Sequence, residues 1–472
     1  MKLYSSNDNY KLYQGNMLDM LEVIEPNTID SIITDPPYEL NFMNKGWDAS
    51  GIAFQPSTWK KCYEVLKPGG YLLAFGGSRT FHRIACAIED AGFEIRDTIM
   101  WLYGSGFPKS LNIGLALDKK NGVESEKGER KTYADGSKQR LTGSNGQFGN
   151  NKGRKDYELI PTSNLAKQWN GWGTALKPSF EPIIVARKPF KGSLVDNVIE
   201  HGVGGINIDE CRVAFNDNQL DNRVGKKDIQ KGAMKNPWSA KSDYDNTTYK
   251  ESGRFPANTI LTYDETDFDE VCGGFPNTKS NGGKTSMPDL RDVGKKSKEA
   301  IGIDKLSFGQ VSNVERKESN YIAPCDSGSA SRYFYCAKAS KKDRDEGLDT
   351  FVEEKVNDGR QTPIDNPFQR GETPRKNTHP TVKPTDLMQC LVRLVTPNGG
   401  TILDPFNGSG STGKAVMYEN KERNKNYKYI GIELTEEYLP IAKARIEYVC
   451  NLKEDKLKDM QMSIFDLGDS NE

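Results

Sequence analysis

The chain has 472 residues, enough for two or three domains or for one large domain with insertions. Lysine and arginine total 65 and aspartate and glutamate total 66, so the net charge of −1 excludes a chain-wide attraction to polyanions; a nucleic-acid partner must be met by local basic patches. The sequence has no run of 18 apolar residues and no basic N-terminal region followed by an apolar stretch, which predicts a cytoplasmic protein without membrane contact.

Eight cysteines are scattered along the chain without a CxxC pair. In a chain of this length that usage predicts reduced, structural thiols and no bound metal. A zinc site built from Cys211, Cys272, Cys325 and Cys336 is an alternative to which their spacing gives little support.

The first predicted unit, residues 11–20, is a strand, a turn and the start of a helix that contains Asp19. The next strand, residues 29–33, runs into residues 34–38 (TDPPY). Two prolines forbid helix and sheet pairing, so this turn holds a carboxylate, a proline carbonyl and an aromatic ring at the carboxyl end of a strand. Ligands bind at that edge in open α/β sheets. Taken alone, the turn is better explained as a capped strand followed by a plain loop.

Helices are predicted over about 56–66 and 80–91, and strands over 71–75 and 94–101. This alternation predicts a doubly wound, mostly parallel sheet. A further strand, residues 181–187, is predicted to pair with the strand that ends at Trp101.

The segment between those two strands differs in composition. Residues 119–155 hold ten lysines and arginines against four acids, with glycine, serine and asparagine between them. Such a composition predicts a mobile basic insertion, about 115–165, that is either simply solvated or ranges along phosphates as a flexible arm; both can hold at once.

Residues 190–332 show no sustained helical period and many turn signals, with basic and aromatic residues interleaved. We interpret them as a separate, loop-rich recognition segment. Residues 332–338 are predicted to return as a strand to the main domain.

The C-terminal part again has a regular pattern. A helix is predicted over 385–396, a strand over 401–404, a glycine-rich turn, a strand over 429–433 that ends in Glu433, and a helix over about 436–448. The turn contains GSGSTGK, nearly a phosphate loop, but Ala415 stands where such a loop needs a hydroxyl for magnesium. A nucleoside site fits more residues, because the glycines admit the ligand to the backbone and the acid accepts hydrogen bonds from ribose hydroxyls.

The DPPY turn at 35–38 and the DPFNGSG turn at 404–410 together resemble the S-adenosylmethionine-dependent amino-methyltransferases of DNA, the N6-adenine/N4-cytosine family of bacteria and phages. The resemblance covers residues 11–103, 180–190 and 333–448, and HPTVKP at 379–384 matches the element that precedes the cofactor loop. The motif order resembles the permuted β group of that family. It implies a Rossmann-like, doubly wound sheet assembled from both chain ends, with a loop-rich inserted target-recognition region.

The implied division is a catalytic half at 1–190, a target-recognition region at 191–332, a cofactor-binding half at 333–450 and a tail at 451–472. The resemblance implies that S-adenosylmethionine binds with Asp19 at its adenine, Glu433 at its ribose and Asp404 near its amino group. The full set of implied cofactor residues is Asp19, His379, Thr381, Lys383, Asp404, Pro405, Phe406, Gly408, Ser409, Gly410 and Glu433.

The implied catalytic residues are Asp35, Pro36, Pro37 and Tyr38. An exocyclic amine is a poor nucleophile because its lone pair is delocalised into the ring. Hydrogen bonds to the Asp35 carboxylate and the Pro36 carbonyl would favour a tetrahedral nitrogen, and Tyr38 would stack on the base once it has left the duplex.

The predicted function is therefore methylation of adenine N6 at a specific sequence of double-stranded DNA by base flipping, as in restriction–modification systems. An aspartate at the first motif position usually accompanies adenine. The alternatives are a cytosine N4 enzyme, an RNA or protein methyltransferase, and a non-catalytic DNA-binding protein. A monomer and a homodimer are both compatible with the resemblance.

A last motif lies in the tail. Residues 461–465 (QMSIF) resemble the short peptide that docks in the bacterial sliding clamp, and clustered apolar anchors suit a groove. The alternative is that these side chains pack back on the domain.

Overall fold

The computed structural model describes residues 2–40, 46–103, 110–130, 157–213, 249–250, 253–262, 277–279, 327–329, 335–336, 341–355 and 374–452. The tail motif at 461–465 and most of the predicted recognition segment lie outside these residues. The chain divides into two compact units. One comprises Met1–Cys211, Pro256–Phe268 and Phe334–Glu472, and the other comprises Arg212–Phe255 and Asp269–Tyr333. The predicted domain bounds stay predictions.

The strands, numbered in chain order, are β1 Lys2–Ser6, β2 Tyr10–Gln14, β3 Ile29–Thr34, β4 Leu66–Phe75, β5 Glu94–Tyr103, β6 Glu126–Arg130, β7 Tyr157–Ile160, β8 Phe180–Arg187, β9 Tyr249–Lys250, β10 Gly253–Arg254, β11 Thr259–Thr262, β12 Asn277–Lys279, β13 Ser327–Ser329, β14 Tyr335–Cys336, β15 Glu354–Lys355, β16 Pro374–Arg375, β17 Thr401–Asp404 and β18 Lys428–Glu433.

The α-helices are α1 Met17–Leu21, α2 Pro56–Val65, α3 Phe81–Asp90, α4 Ile113–Lys120, α5 Asn164–Gln168, α6 Leu194–His201, α7 Lys341–Asp345, α8 Thr385–Val395, α9 Ser411–Glu422 and α10 Leu439–Cys450. Four short 3₁₀ turns span Gly46–Ala49, Ile52–Phe54, Asp209–Cys211 and Glu436–Tyr438. Among the described helices, none is long and apolar enough to cross a membrane.

Ten strands form the central sheet in the order β1-β2-β18-β17-β3-β4-β8-β5-β11-β14. Neighbours from β2 to β4 are parallel, as are β5, β11 and β14. The exceptions are the β1–β2 hairpin and β8, which runs antiparallel between β4 and β5. β17 and β18 thus insert between β2 and β3, which confirms the predicted α/β sheet assembled from both chain ends. The predicted pairing of β8 with β5 is confirmed too.

Helices cover both faces of the sheet. Because neighbouring side chains of a strand point to opposite faces, adjacent residues pack in two different cores. Ile33, Leu73 and Ile402 pack in one core with residues of α8, α9 and α10. The adjacent residues Ile32, Leu72 and Leu403 pack in a second core with residues of α1, α2 and α3. Because both faces are covered, residues 71–75 of β4 form a continuous apolar run.

Three expectations differ from the structure. The strand predicted over 71–75 begins earlier, because β4 already starts at Leu66 and includes residues 67–70. The predicted loop-rich segment contains α6, whose Ser193 and Asp196 form a capping box and whose C-cap Gly202 is left-handed with φ 72°. It also contains β11, which joins the central sheet beside β5. Smaller antiparallel pairs are β6–β7, β9–β10, β12–β13 and β15–β16.

Candidate active site

The two motifs meet at the carboxyl ends of neighbouring strands. β3 is buried along its whole length and ends at Thr34, directly before the DPPY turn, and β17 ends at Asp404, directly before the glycine-rich loop. The Thr34 hydroxyl donates a hydrogen bond of 2.6 Å to Asp404 Oδ1 across 370 positions of sequence. The parallel β3–β17 pairing therefore places the predicted catalytic and cofactor motifs side by side.

Asp35 is held on one side only. Lys383 Nζ donates to Asp35 Oδ2 at 2.6 Å, whereas Asp35 Oδ1 is buried and has no hydrogen-bond partner within the described part of the chain. Burial alone would lower the pKa of Lys383, but the carboxylates of Asp35 and Glu181 outweigh it and raise that pKa above its ordinary value. The ammonium therefore stays charged, and Asp35 keeps one oxygen ready to accept a further hydrogen bond.

Tyr38 is fixed at its hydroxyl and at its ring. The hydroxyl donates to Glu181 Oε2 at 2.7 Å. Burial, and then the carboxylates of Asp35 and Glu181, raise the Tyr38 pKa well above its ordinary value, so the hydroxyl remains a donor. The ring lies against the glycines that follow β4, where a Cβ at Gly77 would approach Tyr38 Cδ2 to 3.1 Å. Pro36 and Pro37, between the carboxylate and the ring, are buried.

Asp404 is a buried carboxylate that accepts three hydrogen bonds. Its Oδ1 accepts from the Thr34 hydroxyl and, at 3.1 Å, from the Phe406 amide, and its Oδ2 accepts from the Thr412 hydroxyl at 2.7 Å. Burial nevertheless raises the Asp404 pKa from the ordinary 3.8 to about 6. The next residue, Pro405, is buried as well, and the partly exposed Phe406 ring lies 6.4 Å from the Trp59 ring, centre to centre.

The glycine-rich loop is organised by Glu433 at the end of β18. Glu433 Oε2 accepts from the Gly408 amide at 2.6 Å and Oε1 from the Thr435 amide at 2.8 Å, while burial raises the Glu433 pKa. Gly408 and Gly410 have φ of 52° and 74°, the left-handed region that side chains rarely adopt. Between them, the buried Ser409 accepts from Arg445 through both its carbonyl and its hydroxyl oxygen.

The HPTVKP segment packs over that loop. A Cβ at Gly408 would lie 2.8 Å from His379 Nε2, so glycine permits the close approach of the imidazole. His379 Nδ1 lies 2.7 Å from the Thr381 carbonyl, and burial lowers the His379 pKa to about 3, so the ring is neutral. The Thr381 side chain is exposed, whereas Lys383 turns inward to Asp35. The resemblance implied that Lys383 binds the cofactor; its direct partner in the structure is Asp35 of the DPPY turn.

Asp19 lies exposed in the first turn of α1. The Gly15 amide, just before that helix, donates to the Glu433 carbonyl at 3.0 Å. The start of α1 therefore adjoins the end of β18, on the side of the loop where Glu433 lies.

Lys414, the lysine of GSGSTGK, does not face a ligand site. Its side chain is fully buried, and its ammonium pairs with Asp343 and, at 2.8 Å, with Glu346. Asp343 also accepts from the amide and hydroxyl of Thr385 at the start of α8. Because Lys414 is used in this internal network, the geometry opposes the phosphate-loop alternative. Within the described residues there is no group of three or more His, Cys, Asp or Glu that could hold a metal ion.

Sequence reasoning missed Thr34, Gly77 and Glu181. Thr34 is the last residue of β3 and was interpreted only as the first residue of the TDPPY turn. Glu181 is the second residue of β8, and because β8 is antiparallel its beginning lies at the edge where the parallel strands end. A charged residue opening an otherwise apolar strand was the available signal.

Comparisons with known proteins agree with this geometry. A family model described as DNA methylase matches residues 29–444, which include both motifs. The chain is 24% identical over 267 residues to the type II methyltransferase M.HindIII of Haemophilus influenzae, covering 47% of this chain and 69% of that protein. It is 22% identical over 257 residues to the type II methyltransferase M2.LlaDCHI of Lactococcus lactis subsp. cremoris, covering 49% and 93%.

Among solved structures, the chain matches the PvuII DNA methyltransferase (cytosine-N4-specific), with a TM-score of 0.36 and 13% identity, covering 97% of this chain and 94% of that one. Another is the M1.HpyAVI–SAM complex, at TM-score 0.33 and 13% identity over 93% of this chain and 99% of that one.

Proposed function

The chain belongs to the DNA methylase family of N6-adenine and N4-cytosine amino-methyltransferases, which use S-adenosylmethionine, and we propose that it methylates adenine N6 at a specific sequence of double-stranded DNA. The observation that carries the proposal is the half-satisfied Asp35 carboxylate. One oxygen is held by Lys383 and the other is buried without a partner in the described structure, next to the cofactor loop. A buried acceptor without a donor is costly, and an incoming amine would satisfy it.

When bound, S-adenosylmethionine supplies an electrophilic methyl group. The residues present fit such a molecule: a glycine loop with no room for side chains at Gly408 and Gly410, and two buried acids, Asp404 and Glu433. Glu433 would accept hydrogen bonds from ribose hydroxyls, and Asp404 would face the cofactor's amino group. Asp19, Phe406, His379 and Thr381 complete the proposed contacts.

The transfer itself needs an activated amine. The target N–H groups would donate to Asp35 Oδ1 and to the Pro36 carbonyl, which draws the nitrogen toward a tetrahedral shape and frees its lone pair for the methyl carbon. Tyr38 would stack on the base, and stacking with hydrogen bonds offsets the few kcal/mol, in order of magnitude, that unstacking costs. Attack would break the bond between the methyl carbon and the sulfonium sulfur and leave S-adenosylhomocysteine, and the positively charged nitrogen would then lose one proton, which the Asp35 carboxylate it donates to can accept.

Adenine is proposed because aspartate, rather than serine, occupies the first position of the catalytic turn. A cytosine N4 enzyme shares every other feature and is the second candidate. RNA or protein methylation remains a third. A non-catalytic DNA-binding role is disfavoured because Asp35 and the loop glycines are both retained. We further propose that the region at 191–332 reads the DNA sequence.

The direct test is nucleoside mass spectrometry on unmethylated DNA incubated with the protein and S-adenosylmethionine. N6-methyladenine is the expected product. The Asp35→Ala variant should form none while still binding the cofactor, and substantial residual turnover would contradict the role of Asp35. N4-methylcytosine would overturn the base assignment only, whereas cofactor binding without any methylated base would redirect the proposal to RNA or protein.

The tail at 461–465 carries a separate proposal, that the protein docks on a sliding clamp. A pulldown with purified clamp should retain the wild type and release Phe465→Ala. Equal retention of the two would end that proposal.

A further inference from the structure

Glu181 contacts three groups of the proposed site at once. Its Oε2 accepts from the Tyr38 hydroxyl at 2.7 Å and lies 3.4 Å from Lys383 Nζ, and its Oε1 accepts from the Tyr103 hydroxyl at 3.3 Å. Lys383 in turn holds Asp35. A single carboxylate thus joins the ring proposed to stack on the base to the ammonium that orients the catalytic acid.

The fold explains why this carboxylate is held in place. β8 runs antiparallel between β4 and β5, so Glu181, near its start, pairs with Trp101 near the end of β5. Pro182 follows, which restricts Glu181 to extended backbone. The Pro182 carbonyl also accepts from the Gly76 amide at 3.0 Å, just after β4. The side chain therefore stands on a rigid strand end rather than on a loop.

The charges of the group have a direct bearing on the reaction. Asp35 and Glu181 flank one ammonium, so the trio carries one net negative charge. As the amine attacks, positive charge develops on its nitrogen, and a fixed negative environment stabilises that charge in the transition state. Neutralising Glu181 would reduce the net charge of Asp35, Glu181 and Lys383 to zero and would leave Lys383 with a single anionic partner.

We propose that Glu181 is a positioning residue of the transfer reaction, which fixes the Tyr38 ring and the Lys383 ammonium so that Asp35 presents its free oxygen to the target amine. This inference rests on the proposed function of the site. It assigns Glu181 no contact with the base or with the cofactor.

The test is a double-mutant cycle with Glu181→Gln, Tyr38→Phe and the double variant. The single-turnover rate of tritium transfer from S-adenosylmethionine to unmethylated plasmid DNA is measured with enzyme in excess. Each single variant should be about 10- to 100-fold slower. The double variant should be less impaired than the product of the two single effects, because both changes weaken the Tyr38–Glu181 hydrogen bond and only the loss of charge is specific to Glu181→Gln. Affinity for S-adenosylmethionine should stay within about twofold of the wild type, since only the transition state is affected.

Glu94→Gln is the matched control. It makes the same chemical change at the other end of β8, where Glu94 accepts from Arg187 at 2.8 Å, and its transfer rate should stay within about twofold of the wild type. Wild-type turnover by Glu181→Gln, multiplicative effects in the double variant, or a parallel loss of cofactor affinity that marks a merely structural role would each overturn the inference. A wild type that transfers no methyl group to DNA would instead overturn the proposed function, and the inference with it.

Discussion

The buried carboxylate of Asp404 gives the sharpest prediction about stability. An unfolded chain titrates this group near 3.8, whereas burial raises its pKa in the folded protein to about 6. Between those values Asp404 is protonated in the folded state and ionised in the unfolded one. Its contribution to the free energy of unfolding is therefore fully present below about pH 4 and is lost as the pH rises through 6. A difference of about two pKa units corresponds to about 3 kcal/mol at neutral pH.

Asp404→Asn removes that cost and keeps the shape of the side chain. The amide oxygen can keep accepting from the Thr34 hydroxyl and the Phe406 amide, and the Thr412 hydroxyl can rotate to accept from the new NH2 group. Without cofactor, the variant should therefore be up to about 3 kcal/mol more stable than the wild type at pH 7, with the advantage falling below about 1 kcal/mol at pH 4. Cofactor affinity should fall by about tenfold or more, because a charge-assisted hydrogen bond is lost.

Urea unfolding of both proteins at pH 4 and pH 7, with calorimetric titration of S-adenosylmethionine, measures these quantities. Asp30→Asn on neighbouring β3 is the control of opposite sign, since Asp30 pairs with Lys67 at 2.6 Å and accepts from the Thr401 amide. It should lose about 1–3 kcal/mol at pH 7. An Asp404→Asn protein less stable than the wild type at pH 7 would refute the assignment of a desolvation cost to this site.

Two further variants test the loop and its support. Gly408→Ala should weaken binding of S-adenosylmethionine by about tenfold or more, because the new Cβ would press on His379 at 2.8 Å. Gly399→Ala is the control, since Gly399 has the same left-handed backbone but a Cβ there meets nothing within 4 Å. It should cost only about 1 kcal/mol of stability and leave binding unchanged. Lys414→Met should cost about 3–5 kcal/mol in urea unfolding by leaving two carboxylates without their cation, whereas the half-exposed Lys443→Met should cost less than about 1 kcal/mol. Equal losses for either pair would contradict the respective argument.

The parts of the fold that the sequence predicted are those where local pattern and global position agree. Residues 71–75 and the pair Ile402 and Leu403 are apolar because both faces of their strands are covered, and glycine or aspartate marks the ends of these runs. The site edge followed from the same logic, since prolines and glycines directly after a strand force a turn there. Neither inference needed any knowledge of which strands are neighbours.

Other features depend on tertiary context and left no such pattern. In α6 the apolar residues Leu194, Val195, Val198 and Ile199 share one face at helical spacing, but that face is exposed and the helix, Leu194–His201, has only eight residues, so its period was too short to stand out in the sequence. Its capping box was the remaining signal. Glu181 was missed for a different reason. Parallel strands bring their carboxyl ends to the site edge, whereas the antiparallel β8 brings its beginning there.

The insertion of β17 and β18 between β2 and β3 also governs when the site can exist during synthesis. Until residue 404 has left the ribosome, β3 lacks the neighbour that carries Asp404, and until residue 383 has left it, Asp35 lacks Lys383. Until then β3 has an unpaired edge, and unpaired strand edges promote aggregation of partly folded chains. Early binding of either substrate therefore cannot guide folding, and any protection of the waiting edge must come from the chain itself or from a chaperone.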